Sequence, residues 1–319
     1  MLTIIIFTNG RYTYVSALLK DLLETKLNIR YLIIDFKKKS KNQLRQDILK
    51  FKKKKKFTFL VEKNNITFSQ KFLKFIKRVR TKYVWFIGDD DRVETGYLKE
   101  LYSLLKNSKN SGFTLNHHSF EKNQEIIKNQ NLEKKIFTEK LNIEKSVTEI
   151  GMLSTQIINT NKYKKIFKSL NRKILLNNGY PQVYIIMKLI EKFNDWKFIS
   201  NKIVFYRYGN FNFKKKNLIE RLNFELKGYF QPAKEIYGVN SKIYKNIFKK
   251  IFLSHVISWI AVALRKIARK EIIKLINKNI YLFPNFKYVN YLLFIINKAP
   301  TKVSFYILKI IQKIYLLRF

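Results

Sequence analysis

The sequence predicts an α/β fold in which a mostly parallel sheet flanked by helices precedes a basic α-helical C-terminal region. Over the first third of the chain, short apolar runs typical of buried strands alternate with apolar stripes at helical spacing. From about residue 217 onward, the strand patterns give way to basic amphipathic segments in which acidic residues are scarce. We therefore divide the chain into a strand-and-helix domain, 1–215, and a basic helical region, 216–319.

Four strands and three helices are predicted before residue 110. The strands are runs rich in β-branched or aromatic residues, at 2–7, 31–34, 57–61 and 83–87. The helices carry their apolar residues on one face, at about 14–22, 68–79 and 97–105. Such alternation favours parallel strands, and ligands bind at the carboxyl ends of such strands. The polar residues that follow the strands are Thr8, Asn9, Asp35 and Asp89 to Asp91.

The middle of the chain is less regular. We predict a strand at 112–116, an exposed polar loop at 122–135 and a helix at 180–193, with Pro181 in its first turn as proline prefers. The segment 196–206 is typical of a final pair of strands or of one bent strand.

The composition limits the classes of partner. The 319 residues include 65 Lys and Arg against 22 Asp and Glu, a formal net charge of +43, and no cysteine. Without cysteine the chain has no disulfide, no thiolate metal ligand and no thiol nucleophile. The positive charge attracts polyanions such as nucleic acid, anionic lipid headgroups or phosphorylated substrates. An AT-rich coding sequence would also enrich lysine.

Association with a membrane surface is expected without a spanning helix. The opening residues lack the basic leader of a signal peptide, and no stretch reaches roughly 18 uncharged apolar residues. The longest apolar segment, 251–264, is interrupted by polar residues, which favours a buried or interfacial helix. Basic amphipathic helices gain from apolar burial and from attraction to anionic lipid. We therefore expect a cytoplasmic protein, peripheral on the inner face of the cell membrane; the alternative is a helical subdomain packed on the sheet, with solvated lysines. The candidate interface aromatics are Trp259, Tyr281, Phe283 and Tyr288.

The triplet Asp89 to Asp91, directly after Gly88, carries the sharpest chemical signal. Three adjacent carboxylates repel one another, and their burial without a cation is costly. A divalent cation relieves the repulsion, since Mg²⁺ and Mn²⁺ prefer carboxylate oxygens together with substrate phosphates. Asp89 and Asp91 are one residue apart and would face one cation if the chain stays extended. The alternative is an exposed acidic turn that caps the helix beginning near Glu94.

Taken together, these segments resemble the family 2 glycosyltransferases. The resemblance rests on LTIIIFTNGR at 2–11, IID at 33–35 and WFIGDDD at 85–91. The segment IGMLSTQIIN at 150–159 is similar to one that recurs in the abequosyltransferase-like bacterial branch of surface polysaccharide synthesis. The resemblance covers about the first two-thirds of the chain and implies a GT-A fold, whose Rossmann-like sheet binds a nucleotide-sugar donor.

The resemblance also implies roles for individual residues. Asp35 matches the aspartate that contacts the base or ribose, and its alternative role is a turn or helix cap. Asp91 matches the direct ligand of a divalent metal, Mn²⁺ or Mg²⁺, with Asp89 as a second ligand. The residues implied to bind the nucleotide-sugar are Thr8, Asn9, Arg11, Asp35, Asp89 and Asp90.

Two departures from the family pattern affect the site. FTNG at 7–10 stands where the family usually has Pro-Thr-Tyr-Asn, which changes the expected contacts with the base. The segment NNGYPQ at 177–182 has no carboxylate, whereas many members carry there an acidic pair that supplies the catalytic base. The catalytic base is therefore unassigned, and its candidates are His118, Glu191 and Asp195.

The implied function is transfer of a sugar, hexosyltransferase-like, from a nucleotide-sugar to a saccharide acceptor. We expect a lipid-linked acceptor in bacterial surface polysaccharide synthesis, with metal assistance and inversion. Two other classes stay open. A nucleic-acid-binding protein would suit the charge and the lysine run 52–56, but no helix-turn-helix, zinc or RNP-like signature supports nucleic acid as a partner. A catalytically inactive, membrane-bound scaffold of the same fold would explain the missing carboxylate.

Overall fold

A computed structural model describes most of the chain and divides it into two units. The described residues are 1–36, 46, 56–62, 66–121, 135–208, 215–284, 286–298 and 301–316. The first unit comprises Met1–Leu141, Met152–Leu170 and Leu189–Phe211, and the second comprises Asn142–Gly151, Asn171–Lys188 and Asn212–Phe319. The lysine run 52–56 and the loop predicted at 122–135 lie outside the described residues, apart from Lys56 and Lys135.

One sheet runs through the described part of the first unit. Its strands are β1 (Leu2–Thr8), β2 (Ile29–Asp35), β3 (Phe57–Val61), β4 (Tyr83–Gly88), β5 (Arg92–Val93), β6 (Gly112–Glu121), β7 (Thr138–Lys140), β8 (Gln156–Asn159) and β9 (Lys197–Tyr208). The four strands predicted before residue 110 are confirmed. The segment predicted as a pair or a bent strand is the single strand β9, whose pairing with β6 shifts register on both sides of Asn116.

The α-helices of the described residues are numbered in chain order. They are α1 (Tyr12–Glu24), α2 (Phe68–Ile76), α3 (Leu98–Asn107), α4 (Ile143–Ser146), α5 (Thr160–Phe167), α6 (Arg172–Asn177), α7 (Pro181–Phe193), α8 (Lys215–Tyr237), α9 (Lys242–Ile251), α10 (Ile257–Leu264), α11 (Arg269–Lys278), α12 (Phe286–Lys298) and α13 (Thr301–Leu316). The helix predicted at 180–193 is confirmed as α7, with Pro181 at its first position.

The strand order is β3-β2-β1-β4-β8-β6-β9-β5, with β7 paired to β9. The pairings of β1 with β2, β1 with β4 and β2 with β3 are parallel, as predicted. Beyond β4 the sheet is mixed, because β8 runs antiparallel between β4 and β6 while β6 and β9 are parallel. The carboxyl ends of β1, β2 and β4 therefore share one edge, as the alternation predicted.

Helices cover both faces of this sheet. On one face, Leu18 and Leu22 of α1 are fully buried in the same cluster as Trp85 of β4. On the other face, Phe72 of α2 stacks on Phe86 of β4 with ring centroids 4.2 Å apart. Burying a large apolar side chain contributes about 1.5–3 kcal/mol, so β4 is held from both sides. The strand that precedes the aspartate triplet is therefore buried and packed on both faces of the sheet.

The second unit is helical, and its buried apolar residues include Leu226 of α8, Ile247 of α9, Ile260 of α10, Ile276 of α11 and Leu308 of α13. Residues Lys242–Leu264 form one continuous helical segment, through the π-helical turn Phe252–Val256 between α9 and α10. Among the described residues this is the one helix long and apolar enough to cross a membrane by length and composition, and 56% of its most apolar window is buried within the protein. That burial agrees with the buried alternative for 251–264.

Of the four candidate interface aromatics, Trp259 is half-buried, and the side chain of Tyr288 lies outside the described residues. Phe283 is buried, with 4% of its surface exposed, so its assignment to an interface is wrong: it packs edge-on against Phe248 at 5.1 Å. Tyr281 is exposed at 46%. Three other exposed aromatics lie on the last two helices: Tyr291 and Phe294 on α12 and Tyr306 on α13.

Candidate functional site at the carboxyl edge of the sheet

The ends of three neighbouring parallel strands form the site. Thr8 at the end of β1 is the pairing partner of Asp35 at the end of β2, and Phe7 is the partner of Gly88 at the end of β4. The aspartate triplet follows Gly88 directly. The register therefore brings Thr8, Asp35 and the triplet to the same edge.

Arg11 bridges two of the three aspartates. Its Nε donates to Asp89 Oδ2 at 3.0 Å, its second terminal nitrogen donates to Asp89 Oδ1, and the other donates to Asp90 Oδ2 at 2.7 Å. Asp89 is 1% exposed and Arg11 is 45% exposed, so a guanidinium on the surface covers a buried carboxylate. Burial raises the pKa of Asp89, and the opposing charge of Arg11 with the hydrogen bond from Thr8 does not cancel the rise.

Asp91 is held by a different set of groups. Ser154 Oγ donates to its Oδ2 at 2.5 Å, and the backbone nitrogen of Arg207 donates to its Oδ1 at 3.1 Å. Burial raises the pKa of Asp91 to about 7; these hydrogen bonds oppose the rise, and the charges of Asp90 and Asp89 add to it. Asp91 is thus a buried carboxylate whose partners are neutral donors, and it attracts a cation.

Ser154 and Gly88 fix the acidic turn. The backbone nitrogen of Gly88 donates to Ser154 Oγ at 2.7 Å, and Trp85 Nε1 donates to the Ser154 carbonyl at 2.7 Å. A Cβ at Gly88 would lie 3.0 Å from Asp91 Oδ2 and 3.4 Å from Ser154 Oγ, so a larger residue would press on the Asp91 carboxylate. The predicted alternative, in which the aspartates cap a helix near Glu94, is not what the structure has: Glu94 itself accepts from Gly96 at the start of that turn.

Arg207 on β9 also contacts the acidic turn. Its Nε donates to the carbonyl of Asp90 at 3.1 Å, and its guanidinium lies 4.9 Å from the Tyr14 ring and 4.3 Å from the Phe120 ring. These contacts place a second cation beside the triplet. The sequence did not predict a role for Arg207 or Ser154. Arg207 is one of 65 Lys and Arg residues, and no charged or catalytic motif surrounds Ser154.

The other residues predicted to bind the nucleotide-sugar lie at the same carboxyl edge of the sheet as the triplet. Thr8 Oγ1 accepts from the backbone nitrogen of Arg11 at 3.2 Å, and Asn9 is exposed. Asp35 is fully buried and accepts a hydrogen bond of 2.6 Å from Tyr12. A nucleotide that contacts Asp35 would therefore have to approach beside Tyr12.

The three candidates for the catalytic base lie in different parts of the first unit. His118 is on β6, two residues before the Phe120 that packs on Arg207, and stacks on Phe205 with centroids 5.4 Å apart. Glu191 is exposed on α7. Asp195 is paired with Lys162 and accepts from the backbone nitrogen of Ser111 at 3.1 Å, and these partners lower its pKa against the effect of burial. Since Ser111 precedes the amino end of β6, Asp195 sits at the opposite edge of the sheet from the triplet.

The carboxylates at this edge of the sheet suit a divalent cation that is also bound by the phosphates of a ligand. Within the part of the chain that the structure describes, no group of three or more His, Asp or Glu side chains is arranged to hold a metal by itself. Asp91 supplies one buried oxygen donor, while Asp89 and Asp90 are engaged by Arg11. Mg²⁺ and Mn²⁺ sites with one or two carboxylates and substrate phosphates match such a donor set.

The fold and the site define an α/β protein whose polar side chains meet at the carboxyl edge of parallel strands, the place where such sheets bind ligands. Residues 3–167, just over half of the chain, match the family model described as glycosyl transferase family 2. The chain belongs to glycosyl transferase family 2 and is a glycosyltransferase, with a GT-A sheet and a helical C-terminal region.

Solved glycosyltransferase structures share the fold. S. aureus TarS 1–349 has a TM-score of 0.54 and 13% identity, over 100% of this chain and 92% of that chain. The same protein in complex with UDP-GlcNAc has a TM-score of 0.53 and 13% identity, over 99% and 91%. The mannosyltransferase PcManGT from Pyrobaculum calidifontis, in complex with GDP-Man and Mn²⁺, has a TM-score of 0.53 and 9% identity, over 99% and 86%. No curated protein matches the chain.

Proposed function

We propose that this glycosyltransferase takes its sugar from a nucleotide-sugar donor bound at the carboxyl edge of β1, β2 and β4. The observation that carries the proposal is the cluster in which Arg11 bridges Asp89 and Asp90 beside the buried Asp91. A guanidinium suits the donor diphosphate, and carboxylates suit ribose hydroxyls or a cation. TarS with UDP-GlcNAc and PcManGT with GDP-Man are fold relatives that bind such donors, which supports the proposal.

We also propose that a divalent cation, Mn²⁺ or Mg²⁺, assists the reaction, with Asp91 as its first protein ligand. The support is electrostatic: burial without a cationic partner raises the pKa of Asp91 to about 7. A cation would stabilise the negative charge on the leaving nucleotide. Asp89 would become a second ligand only if Arg11 turned from it toward the diphosphate, since both oxygens of Asp89 accept from Arg11.

The chemistry that follows is displacement at the anomeric carbon. Arg11 and Thr8 would hold the nucleotide side of the donor, and Gly88 would allow the sugar phosphates to approach the backbone. An acceptor hydroxyl attacks the anomeric carbon and gives its proton to a general base, still unassigned, as the nucleoside diphosphate departs, through an oxocarbenium-like transition state. We propose inversion of the anomeric configuration, which NMR of the product linkage would test.

The donor proposal is tested by thermal shift with UDP, GDP, CDP and dTDP, each with Mn²⁺ or with EDTA. We expect one nucleotide to raise the melting temperature of the wild type in Mn²⁺, and Asp91→Asn to abolish that shift. Glu100→Gln is the matched control, because it removes an exposed carboxylate from the first turn of α3. No shift with any nucleotide, in a protein that melts cooperatively, would overturn the proposal and favour the scaffold or nucleic-acid alternative.

For the acceptor we propose a lipid-linked saccharide of bacterial surface polysaccharide synthesis, met at the inner face of the cell membrane. The abequosyltransferase-like branch belongs to this proposal and rests on the segments 85–91 and 150–159. Support comes from the two last helices, which leave five large apolar side chains exposed: Tyr291, Phe294, Val303, Tyr306 and Ile310. No acidic residue follows Glu271, so these two helices are suited to anionic lipid headgroups.

Sedimentation with vesicles tests the membrane part of the proposal. We expect binding to phosphatidylglycerol vesicles, weaker binding to phosphatidylcholine vesicles, and loss of binding when Phe294 and Tyr306 are both changed to Ser. Phe137→Ser is the matched control, since Phe137 is 58% exposed in the first unit. Equal sedimentation of the double variant and the wild type would rule out these two helices as the membrane-binding elements.

A further inference from the structure

The helical unit contains a buried carboxylate that the donor site does not use. Glu225 on α8 is fully buried. Its Oε1 accepts from Tyr180 at 2.7 Å and lies 2.5 Å from a terminal nitrogen of Arg221, one helical turn earlier. Its Oε2 lies 3.5 Å from Nδ1 of His255. Burial raises the pKa of Glu225, but the hydrogen bonds and charges of these partners outweigh burial and lower it, so the carboxylate is ionised.

His255 differs from Glu225 in its exposure. Its side chain is 33% exposed, whereas that of Glu225 is 0% exposed. It stands in the π-helical turn Phe252–Val256, a geometry often found at functional sites. Its ring meets Tyr229 edge-on at 5.9 Å. A buried carboxylate thus lies 3.5 Å from the Nδ1 of a partly exposed imidazole. In the neutral imidazole, the tautomer with its proton on Nδ1 faces the carboxylate and has Nε2 as an acceptor.

The surroundings of the pair combine flat rings with hydrogen-bonding groups. The Arg221 guanidinium lies 5.4 Å from the Tyr180 ring and 5.2 Å from the Trp259 ring. Binding sites for small polar ligands place a few convergent polar groups among aromatic walls. Sugars suit this combination, because hydroxyls pair with charged groups while C–H faces contact rings.

We propose that His255 and Glu225 bind a hydroxyl group of the acceptor saccharide. Nε2 of His255 accepts a hydrogen bond from that hydroxyl. Glu225 fixes the tautomer that makes Nε2 an acceptor. The inference rests on the proposed function, which requires a saccharide acceptor. The two residues proposed to bind the acceptor are different from the residues proposed to bind the nucleotide-sugar donor. His255 touches the sugar, and Glu225 acts through His255 as a positioning residue.

The test uses the full chain and the methyl glycosides of glucose, galactose, mannose and N-acetylglucosamine as probes. The chain has 3 histidines, so ¹³C labelling at Cε1 gives three imidazole signals by NMR. The His255 signal is assigned as the one that is absent from the spectrum of His255→Asn. We expect at least one glycoside to shift that signal in the wild type. If none moves that signal, the proposal is wrong, whatever the outcome of the nucleotide thermal shift.

Two isosteric variants separate a binding role from a structural one. The Asn side chain reaches the position of Nδ1 and keeps a donor to Glu225, whereas the Gln side chain places its amide near Nε2. We expect His255→Asn to weaken glycoside binding by about five- to tenfold, as for the loss of one hydrogen bond, and His255→Gln to retain more of it. Both variants should still bind the nucleotide. A purely structural role predicts the opposite order, with His255→Asn like the wild type; that order would overturn the proposal.

Discussion

Ser154 donates a hydrogen bond of 2.5 Å to Asp91, from which it is separated by 63 residues in the chain. The same hydroxyl accepts from the backbone nitrogen of Gly88 at 2.7 Å. The serine therefore ties the acidic turn to the 3₁₀ turn Leu153–Thr155. Because its hydrogen bond opposes the rise that burial causes in the pKa of Asp91, Ser154 influences how much of that carboxylate is ionised near neutral pH.

Ser154→Ala is expected to raise the pKa of Asp91 further and to weaken Mn²⁺-dependent nucleotide binding at pH 7 by about tenfold, the value of one strong hydrogen bond. The measurement is the nucleotide-induced thermal shift from pH 6 to pH 9. Its midpoint should move to higher pH in the variant, since binding needs ionised Asp91. Ser103→Ala, at an exposed position of α3, is the control. Coincident pH midpoints in Ser154→Ala and the wild type would contradict the role given to Ser154.

Asp91 should make the metal-free protein less stable as the pH rises. Its pKa in the fold, about 7, lies above the ordinary value of 3.8, so the fold favours the protonated form. Its contribution to stability is present below about pH 4 and is lost as the pH rises through 7. We expect the stability advantage of Asp91→Asn over the wild type, measured in EDTA, to grow by about 2–3 kcal/mol between pH 5 and pH 8.

Urea unfolding at both pH values, with and without Mn²⁺, checks this prediction. Mn²⁺ should stabilise the wild type at pH 8 and leave Asp91→Asn unchanged, because only the wild type has the carboxylate. A difference between the two proteins that does not vary with pH would show that Asp91 keeps its charge throughout.

The strands of the first half were predictable because each is a run of apolar residues long enough to reveal its type. β4 is the clearest example, since all of its side chains from Tyr83 to Ile87 are buried. β5 and β7 have 2 and 3 residues, too few for any periodicity, and were not predicted. The mixed character beyond β4 also escaped prediction, because strand direction depends on long-range pairing rather than on local pattern.

The site was predictable only where its residues follow a strand directly. Asp35 and the triplet were found in this way, whereas Ser154 lies in a short 3₁₀ turn and Arg207 within a strand. The pairing of Arg11 with Asp89 and Asp90 joins residues 78 and 79 positions apart, so no local pattern contains it. Glu225 escaped for the same reason: it has the sequence surroundings of an ordinary helix-surface carboxylate, and only the tertiary structure buries it.

Gly112→Ala is expected to destabilise the first unit strongly. A Cβ at this position would lie 2.3 Å from the Trp196 ring and 2.4 Å from the backbone oxygen of Ile157. A side chain can turn away, but a backbone oxygen paired in the sheet cannot, so we expect a loss of about 2–3 kcal/mol by urea unfolding. Gly238→Ala is the comparison: φ is +77° there with nothing within 4 Å, so only backbone strain of about 1 kcal/mol applies. Equal losses would contradict the steric argument.

Arg11→Met separates the two roles of Arg11, as the counter-charge of Asp89 and as a ligand of the donor diphosphate. Removing it leaves a carboxylate that is 1% exposed without its cation, and we expect a loss of about 1–3 kcal/mol, reduced from the full buried value because Arg11 is 45% exposed. Adding Asp89→Asn removes the buried charge, so the double variant should regain most of that stability. Arg80→Met, at an exposed arginine, is the control and should change little.

Nucleotide binding distinguishes the two roles in the same set of proteins. The double variant Arg11→Met with Asp89→Asn should be stable in urea yet fail to show the Mn²⁺-dependent nucleotide shift, since no guanidinium remains to meet the diphosphate. If the double variant binds nucleotide as the wild type does, Arg11 serves only to neutralise Asp89. The double variant could instead regain no stability, which would mean that Arg11 does not lower the free-energy cost of burying Asp89. The negative charge of the triplet would then have to be offset by another cation such as Arg207, whose Nε donates to the carbonyl of Asp90.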